Sequence, residues 1–154
     1  MPPKGVVSIC VSYNLFGSPS FATEFKNKQD RQGKPYFLHC FHVMQTCGLE
    51  DENSLCIALG HDLIEDTEIT FDYLAKEFNS DIANGINCLT HKIGDYNDYV
   101  KTIPVYPFVG IKCTKIKLAD LKHNMDASRL KGLTKKDFDR MEKYMIAYTY
   151  LSKI

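Results

Sequence analysis

Across 154 residues there is no CxxC pair, no basic excess, no internal repeat and no apolar run long enough to cross a bilayer. The six cysteines (Cys10, Cys40, Cys47, Cys56, Cys88, Cys113) are irregularly spaced, and several sit inside apolar runs such as Leu55-Cys56-Ile57-Ala58-Leu59. They read as reduced core residues of a cytoplasmic protein rather than as a disulfide framework. Lysine plus arginine equals aspartate plus glutamate, so the formal net charge is zero. A dedicated nucleic-acid binder carries a basic excess, so nucleic acid is not the expected partner. A small anionic substrate needs only a local cluster of cations. The stretch from Lys4 to Phe16 has the rough outline of a secretory signal, but Tyr13 and Asn14 interrupt its apolar run. Its cleavage pattern is poor, and the run is too short to span a membrane. Residues 1–17 are expected to form an N-terminal arm on a domain covering residues 18–154.

What is present is helical punctuation. The length suits one domain, and 44% hydrophobic with 25% charged residues is the balance of a folded globular chain. Ser18, Pro19 and Ser20 signal a helix start, with Phe21, Ala22 and Phe25 on one face. Gly33 and Pro35 turn the chain before a helix over Tyr36–Thr46, which Gly48 ends. Asp51 or Asn53 caps a helix running to about Glu65. Further helices are predicted from Thr70 through Phe78, Asp81 to Thr90, around Tyr96 to Ile103, and Ile111 to Met125. Thr134 with Asp137 three residues on resembles a capping box opening the last helix, Lys135 to about Leu151. No strand alternation persists. The expectation is an all-α, single-domain helical bundle.

His61 and Asp62 are adjacent in an otherwise apolar helix, with Glu65 and Asp66 stacked on them at i, i+4. No Lys or Arg occurs from residue 50 to 75. Burying three carboxylates and an imidazole together is costly unless a cation neutralises them, so the segment predicts a divalent metal. His39 on an early helix and Asp120 among Leu118, Ala119 and Leu121 are candidate further ligands. Two imidazoles and two carboxylates suit Mn, Fe or Zn rather than an all-oxygen calcium site. The lysines at 112, 115, 117 and 122 read as a solvated face. His91 and His123 need no role, and His42 is a candidate to support His39.

Pro35-Tyr36-x-x-His39, His61-Asp62-x-x-Glu65-Asp66-Thr67 and Lys117-Leu118-Ala119-Asp120-x-x-His123-Asn124 occur in that order. Together they resemble the HD-superfamily hydrolase domain of RelA/SpoT homologues, most of all its small stand-alone members, over about residues 21–151. The resemblance implies metal ligands at His39, His61, Asp62 and Asp120, with Mn2+ as the first choice of ion, and a catalytic acidic pair at Glu65 and Asp66. It implies substrate contacts at Arg31, Asn124, Arg140 and Tyr144; the last two also fit a surface packing pair. The implied reaction is removal of the 3′-pyrophosphate of guanosine tetra- or pentaphosphate, giving GDP or GTP and pyrophosphate. Alternatives are an HD phosphohydrolase of an adenine alarmone, a nucleoside monophosphate or NADPH, and a catalytically silent nucleotide-binding module. Retention of all six metal and acidic positions speaks against the silent module. With no synthetase segment following, a hydrolase alone is expected, while assembly into a homo-oligomer stays open. Two departures stand out: the family's His-Pro is His39-Cys40 here, and Leu121 stands where the long enzymes have arginine.

Overall fold

In the computed structural model, Phe25 and residues 28–154 are described, and the fold is built from helices. The expected N-terminal arm, the helix start at Ser18–Ser20 and Cys10 lie outside the described residues. The order is α1 (Phe37–Thr46), α2 (Glu52–Gly60), α3 (Leu63–Asp66), α4 (Phe71–Glu77), α5 (Ser80–Cys88), α6 (Tyr96–Thr102), α7 (Gly110–Asn124) and α8 (Lys135–Leu151), with a 3-10 turn at Ala127–Arg129. Among the described residues the nearest thing to a strand is one isolated bridge between Gln29 and Pro35.

Several helices begin where a short polar side chain satisfies orphan amide groups. Asp51 accepts from the Ser54 amide at α2, Thr70 from Tyr73 at α4, and Asn79 from Ile82 at α5. At α8 the Thr134–Asp137 pair closes a reciprocal capping box. Gly48, at φ 71°, ends α1 in the left-handed region where a Cβ is unwelcome.

The core centres on α2, in which every residue from Ser54 to Gly60 is buried. One side of α2 packs on α1 and the other on α5, while α7 packs on α1, α5 and α8. Val43, Ile57, Leu59, Leu63, Leu74, Ile86 and Ile116 are fully buried in the main apolar cluster. A smaller cluster of Val100, Leu121, Ala147 and Leu151 joins α6, α7 and α8. Cys40, Cys47, Cys56, Cys88 and Cys113 are all free and buried, as small core hydrophobes would be. No described helix is long and apolar enough to cross a membrane.

The sequence reading of one helix through Glu65 needs correction. The helix breaks at His61 and Asp62, where Asp62 takes φ −102° and ψ 4°, and one turn resumes as α3. The His61 ring engages the Ala58 carbonyl at 2.7 Å, satisfying one of the acceptors that a helix end leaves open. The break turns the acidic tail outward, so Glu65 and Asp66 are exposed rather than buried with His61.

Two glycines mark places where backbones or side chains approach too closely for a Cβ. At Gly85 it would fall 2.3 Å from the Ile57 side chain, and at Gly110 it would fall 2.3 Å from the Pro104 carbonyl oxygen. The second obstacle is backbone and cannot swing aside. Gly110→Ala is expected to lower unfolding stability by about 1–3 kcal/mol, the usual cost of overpacking. Urea denaturation measures this, and an unchanged midpoint would contradict the close approach.

Candidate metal centre

Three helices that meet in the core bring four side chains together around His61. His39 lies on the buried face of α1, His61 and Asp62 form the break after α2, and Asp120 faces inward from the middle of α7. Ligand atoms of His39, His61 and Asp120 all lie within 4.8 Å of one another. His39 Nε2 is 3.1 Å from Asp120 Oδ1. His61 Nε2 is 3.1 Å from Asp62 Oδ2 and 3.6 Å from Asp120 Oδ1. The residues that the sequence nominated as ligands are therefore neighbours in space.

Hydrogen bonding decides which atoms face inward. His61 Nδ1 donates to the Ala58 carbonyl, which leaves Nε2 with its lone pair. That Nε2 is buried and has no hydrogen-bond partner, since the nearby carboxylates are close but not aligned with it. A chain of three groups sets His39. Arg129 Nη1, which can only donate, is 3.0 Å from His123 Nδ1, so that nitrogen is the acceptor. His39 Nδ1, 2.7 Å from the same atom, must then be the donor, and the Nε2 of neutral His39 is bare. Burial first, then the charges of His39 and Arg129, press the His123 pKa down to about 4, consistent with a neutral acceptor. The His123 ring stacks on both His39 and His42, at centroid distances of 4.9 and 4.0 Å.

The carboxylates are held as firmly. Asp120 Oδ1 accepts from Asn124 Nδ2 at 2.7 Å, and Oδ2 accepts from Lys117 Nζ at 2.8 Å. Asp62 Oδ2 accepts the Tyr36 hydroxyl. Burial would raise the Asp62 pKa, but the His61 imidazole and the Tyr36 hydroxyl outweigh it and bring it to about 2. Asp120 is likewise held well below the carboxylate range: burial opposes this, and Lys117 and the two imidazoles overcome it. Two ionised carboxylates thus face two imidazoles, and although burial lowers the His61 pKa, Asp62 and Asp120 outweigh it and hold it well above the ordinary value, so the site calls for a proton or another cation between these groups. Lone pairs converging in a dry site repel unless a cation lies among them, and the orphaned His61 Nε2 is the atom such an ion would satisfy. The donor set of two imidazoles and carboxylates fits a first-row divalent metal.

The acidic pair lies at the rim. Glu65 accepts the His91 amide at 3.0 Å, and its pKa is raised, chiefly by burial of its surroundings and then by the nearby carboxylates Asp62 and Asp66. Asp66 forms an ion pair with Lys28. Beside Glu65, Tyr96, Tyr99 and Tyr144 form an aromatic wall, with Lys143 Nζ 4.4 Å from the Tyr96 centroid. Among the described residues neither Lys143 nor Arg140 has a carboxylate within 4.0 Å. The Lys143 pKa is lowered by burial and by the charges of Arg140 and Lys117, which marks a cluster with more positive charge than its surroundings balance.

Of the nominated substrate contacts, Arg31 pairs with Asp137, the capping residue of α8, and lies near enough to Tyr144 for its charge to act on that hydroxyl, while Asn124 donates to Asp120. Lys117 does not belong to a solvated face: it is buried against Tyr96 and Tyr99 and paired with Asp120. Its i, i+3 spacing to Asp120 was the available signal. His123, assigned no role from the sequence, orients His39; nothing local to His123 announces a partner 84 positions away.

No protein-family model matches the chain. A curated relative, the guanosine-3′,5′-bis(diphosphate) 3′-pyrophosphohydrolase MESH1 of Drosophila melanogaster, is 27% identical over 150 residues, covering 94% of this chain and 81% of the relative. A solved structure, described as a metazoan orthologue of SpoT that hydrolyses ppGpp and plays a role in starvation responses, superposes with a TM-score of 0.77. It is 20% identical, and the match covers 98% of this chain and 87% of that one.

Removing Lys117 isolates a buried carboxylate, so Lys117→Met should destabilise the metal-free protein by about 3–5 kcal/mol. Added Mn2+ should raise its melting temperature more than it raises that of the wild type, because the site has lost its internal cation. Equal shifts in calorimetry would contradict this arrangement. The chain thus shares the helical fold of that structure and is similar in sequence to the curated pyrophosphohydrolase along nearly its whole length.

Proposed function

We propose that this chain hydrolyses the 3′-pyrophosphate of guanosine tetra- and pentaphosphate, releasing GDP or GTP and pyrophosphate, with a divalent metal held by His39, His61, Asp62 and Asp120. The observation that carries the reading is the junction of two unlike surfaces. A buried His/Asp cluster with an orphaned ring nitrogen adjoins a wall of tyrosines and cations that no described carboxylate pairs, and Glu65 stands between them. The relative's activity on the same class of nucleotide supports it.

A bound ion supplies Lewis acidity toward water and a phosphoryl oxygen. The protein's own groups do the rest. Glu65 accepts the proton of the attacking water, and Asp66, anchored by Lys28, stands beside it. The bond between phosphorus and the ribose 3′-oxygen breaks, the 3′-oxygen ends as a hydroxyl, and pyrophosphate carries away the water oxygen. Arg140 and Lys143 stabilise charge on the phosphates, and Tyr144 with Tyr96 offers a face for packing. Arg31 and Asn124 stay in this proposal as positioning groups, through Asp137 and Asp120. Mn2+ is the proposed ion. The five free buried thiols suit a reducing compartment, and the cytoplasm is the proposed location.

Purified protein is expected to carry roughly one divalent ion per chain, lost in His61→Ala, as measured by elemental analysis. With Mn2+ loaded, guanosine tetraphosphate should yield GDP and pyrophosphate by chromatography. Orthophosphate as the product, or turnover of NADPH or a nucleoside monophosphate in its place, would overturn the reading.

Glu65 works as a base only when ionised, and its pKa lies above the ordinary 4.5. The profile of kcat/KM against pH should therefore fall on the acid side through a pKa higher than 4.5. Glu65→Gln should cost at least about 100-fold in kcat while retaining metal. Wild-type turnover in that variant would remove Glu65 from the chemistry.

A further inference from the structure

A buried thiol lies beside the centre. Cys40 follows His39 on α1 and is wholly buried. Its sulfur, a ring nitrogen of His61 and a carboxylate oxygen of Asp62 all lie within 4.8 Å of one another. This second triad shares His61, whose Nε2 is buried without a hydrogen-bond partner, and Asp62 with the first. His61 thus belongs to two overlapping triads, one with His39 and Asp120 and one with Cys40 and Asp62.

The other free thiols of the described chain form no such triad with imidazole and carboxylate donors. Cys47 and Cys113 donate to backbone carbonyls, of Met44 at 3.4 Å and Gly85 at 3.5 Å. Cys40 is also the point at which this sequence leaves the RelA/SpoT pattern, where proline stands and no sulfur is present. Hard carboxylates and imidazoles hold Mn2+, Fe2+ and Zn2+ with modest discrimination, whereas a thiolate adds soft character that favours Zn2+.

We propose that Cys40 is a fifth protein donor to the metal centre and biases it toward softer ions such as Zn2+ and Co2+. As the sulfur–metal bond forms, the thiol proton leaves to solvent, so a soft ion gains a ligand that Mn2+ has little use for. The inference rests on the metal site of the proposed function and changes its selectivity, which becomes a property of this chain and not of the fold.

Cobalt replacement separates the two claims without reference to turnover. Protein loaded with Co2+ should show visible d–d bands from the bound ion and a near-ultraviolet thiolate-to-cobalt charge-transfer band. Cys40→Ser should keep the d–d bands and lose the charge-transfer band. Competition against a chelator should show a loss of about tenfold or more in Zn2+ affinity for the variant, with Mn2+ affinity nearly unchanged. Cys40→Ala serves as a second variant should serine prove unstable. Visible bands without a charge-transfer band in the wild type would overturn the thiolate while leaving the His/Asp site intact. A charge-transfer band that survives both substitutions would assign it to another cysteine and equally overturn the proposal. Absence of all cobalt bands would overturn the metal site itself and Cys40 with it.

Discussion

A carboxylate in the middle of a protein is tolerable only when every lone pair is answered, and Asp120 shows what that demands. It is nearly inaccessible on α7, so its charge has lost the solvation of water. Lys117 from the same helix and Asn124 one turn on supply donors, while His39 and His61 arrive from α1 and the end of α2. Three parts of the chain must converge for one ion pair to survive. The packing of α7 on α1 and of α1 on α2 is therefore inseparable from the electrostatics of the site.

The same economy of donors reaches outward. Arg129 bonds the His123 carbonyl and ring, and its other nitrogen pairs with Asp30 at 3.0 Å. Arg31, one residue on, reaches Asp137 at the start of α8. The turn between Phe25 and α1 is thus tied at two points to segments that follow α7. Through it, orientation of the His39 ring depends on a guanidinium that touches no ligand of the centre. Outer groups of this kind fix the tautomer and angle of a metal-binding imidazole.

Where the buried cluster meets solvent, the helix break at His61 and Asp62 does the separating. A continuous helix would stack Glu65 over His61; the turn instead leaves the first pair inside and sets the second at the rim. Glu65 there faces a different environment, rich in tyrosine rings and the charges of Lys117, Lys143 and Arg140. Two adjoining surfaces with opposite needs, one short of a cation and one short of an anion, are what a metal-assisted reaction on a phosphorylated substrate requires.

The helices and their caps were legible in the linear sequence because they depend on local chemistry. Thr134 with Asp137 marks α8, Asp51 marks α2, and apolar spacing marks the buried faces. The pairing of His61 with Asp62 was legible too, because four ionisable groups in an apolar run have few uses. What tertiary structure alone decided are the relations between distant residues. His123 against His39 is one example, and Lys117 turned inward to Asp120 rather than outward to water is another. The contiguous patch that helical spacing predicts from His61 to Asp66 is two sites in the structure, because a helix end must satisfy its carbonyls and His61 does so with its own ring. Periodicity specifies which face of a helix is apolar; only packing specifies which other helix that face will meet, and with it which buried charge finds a partner.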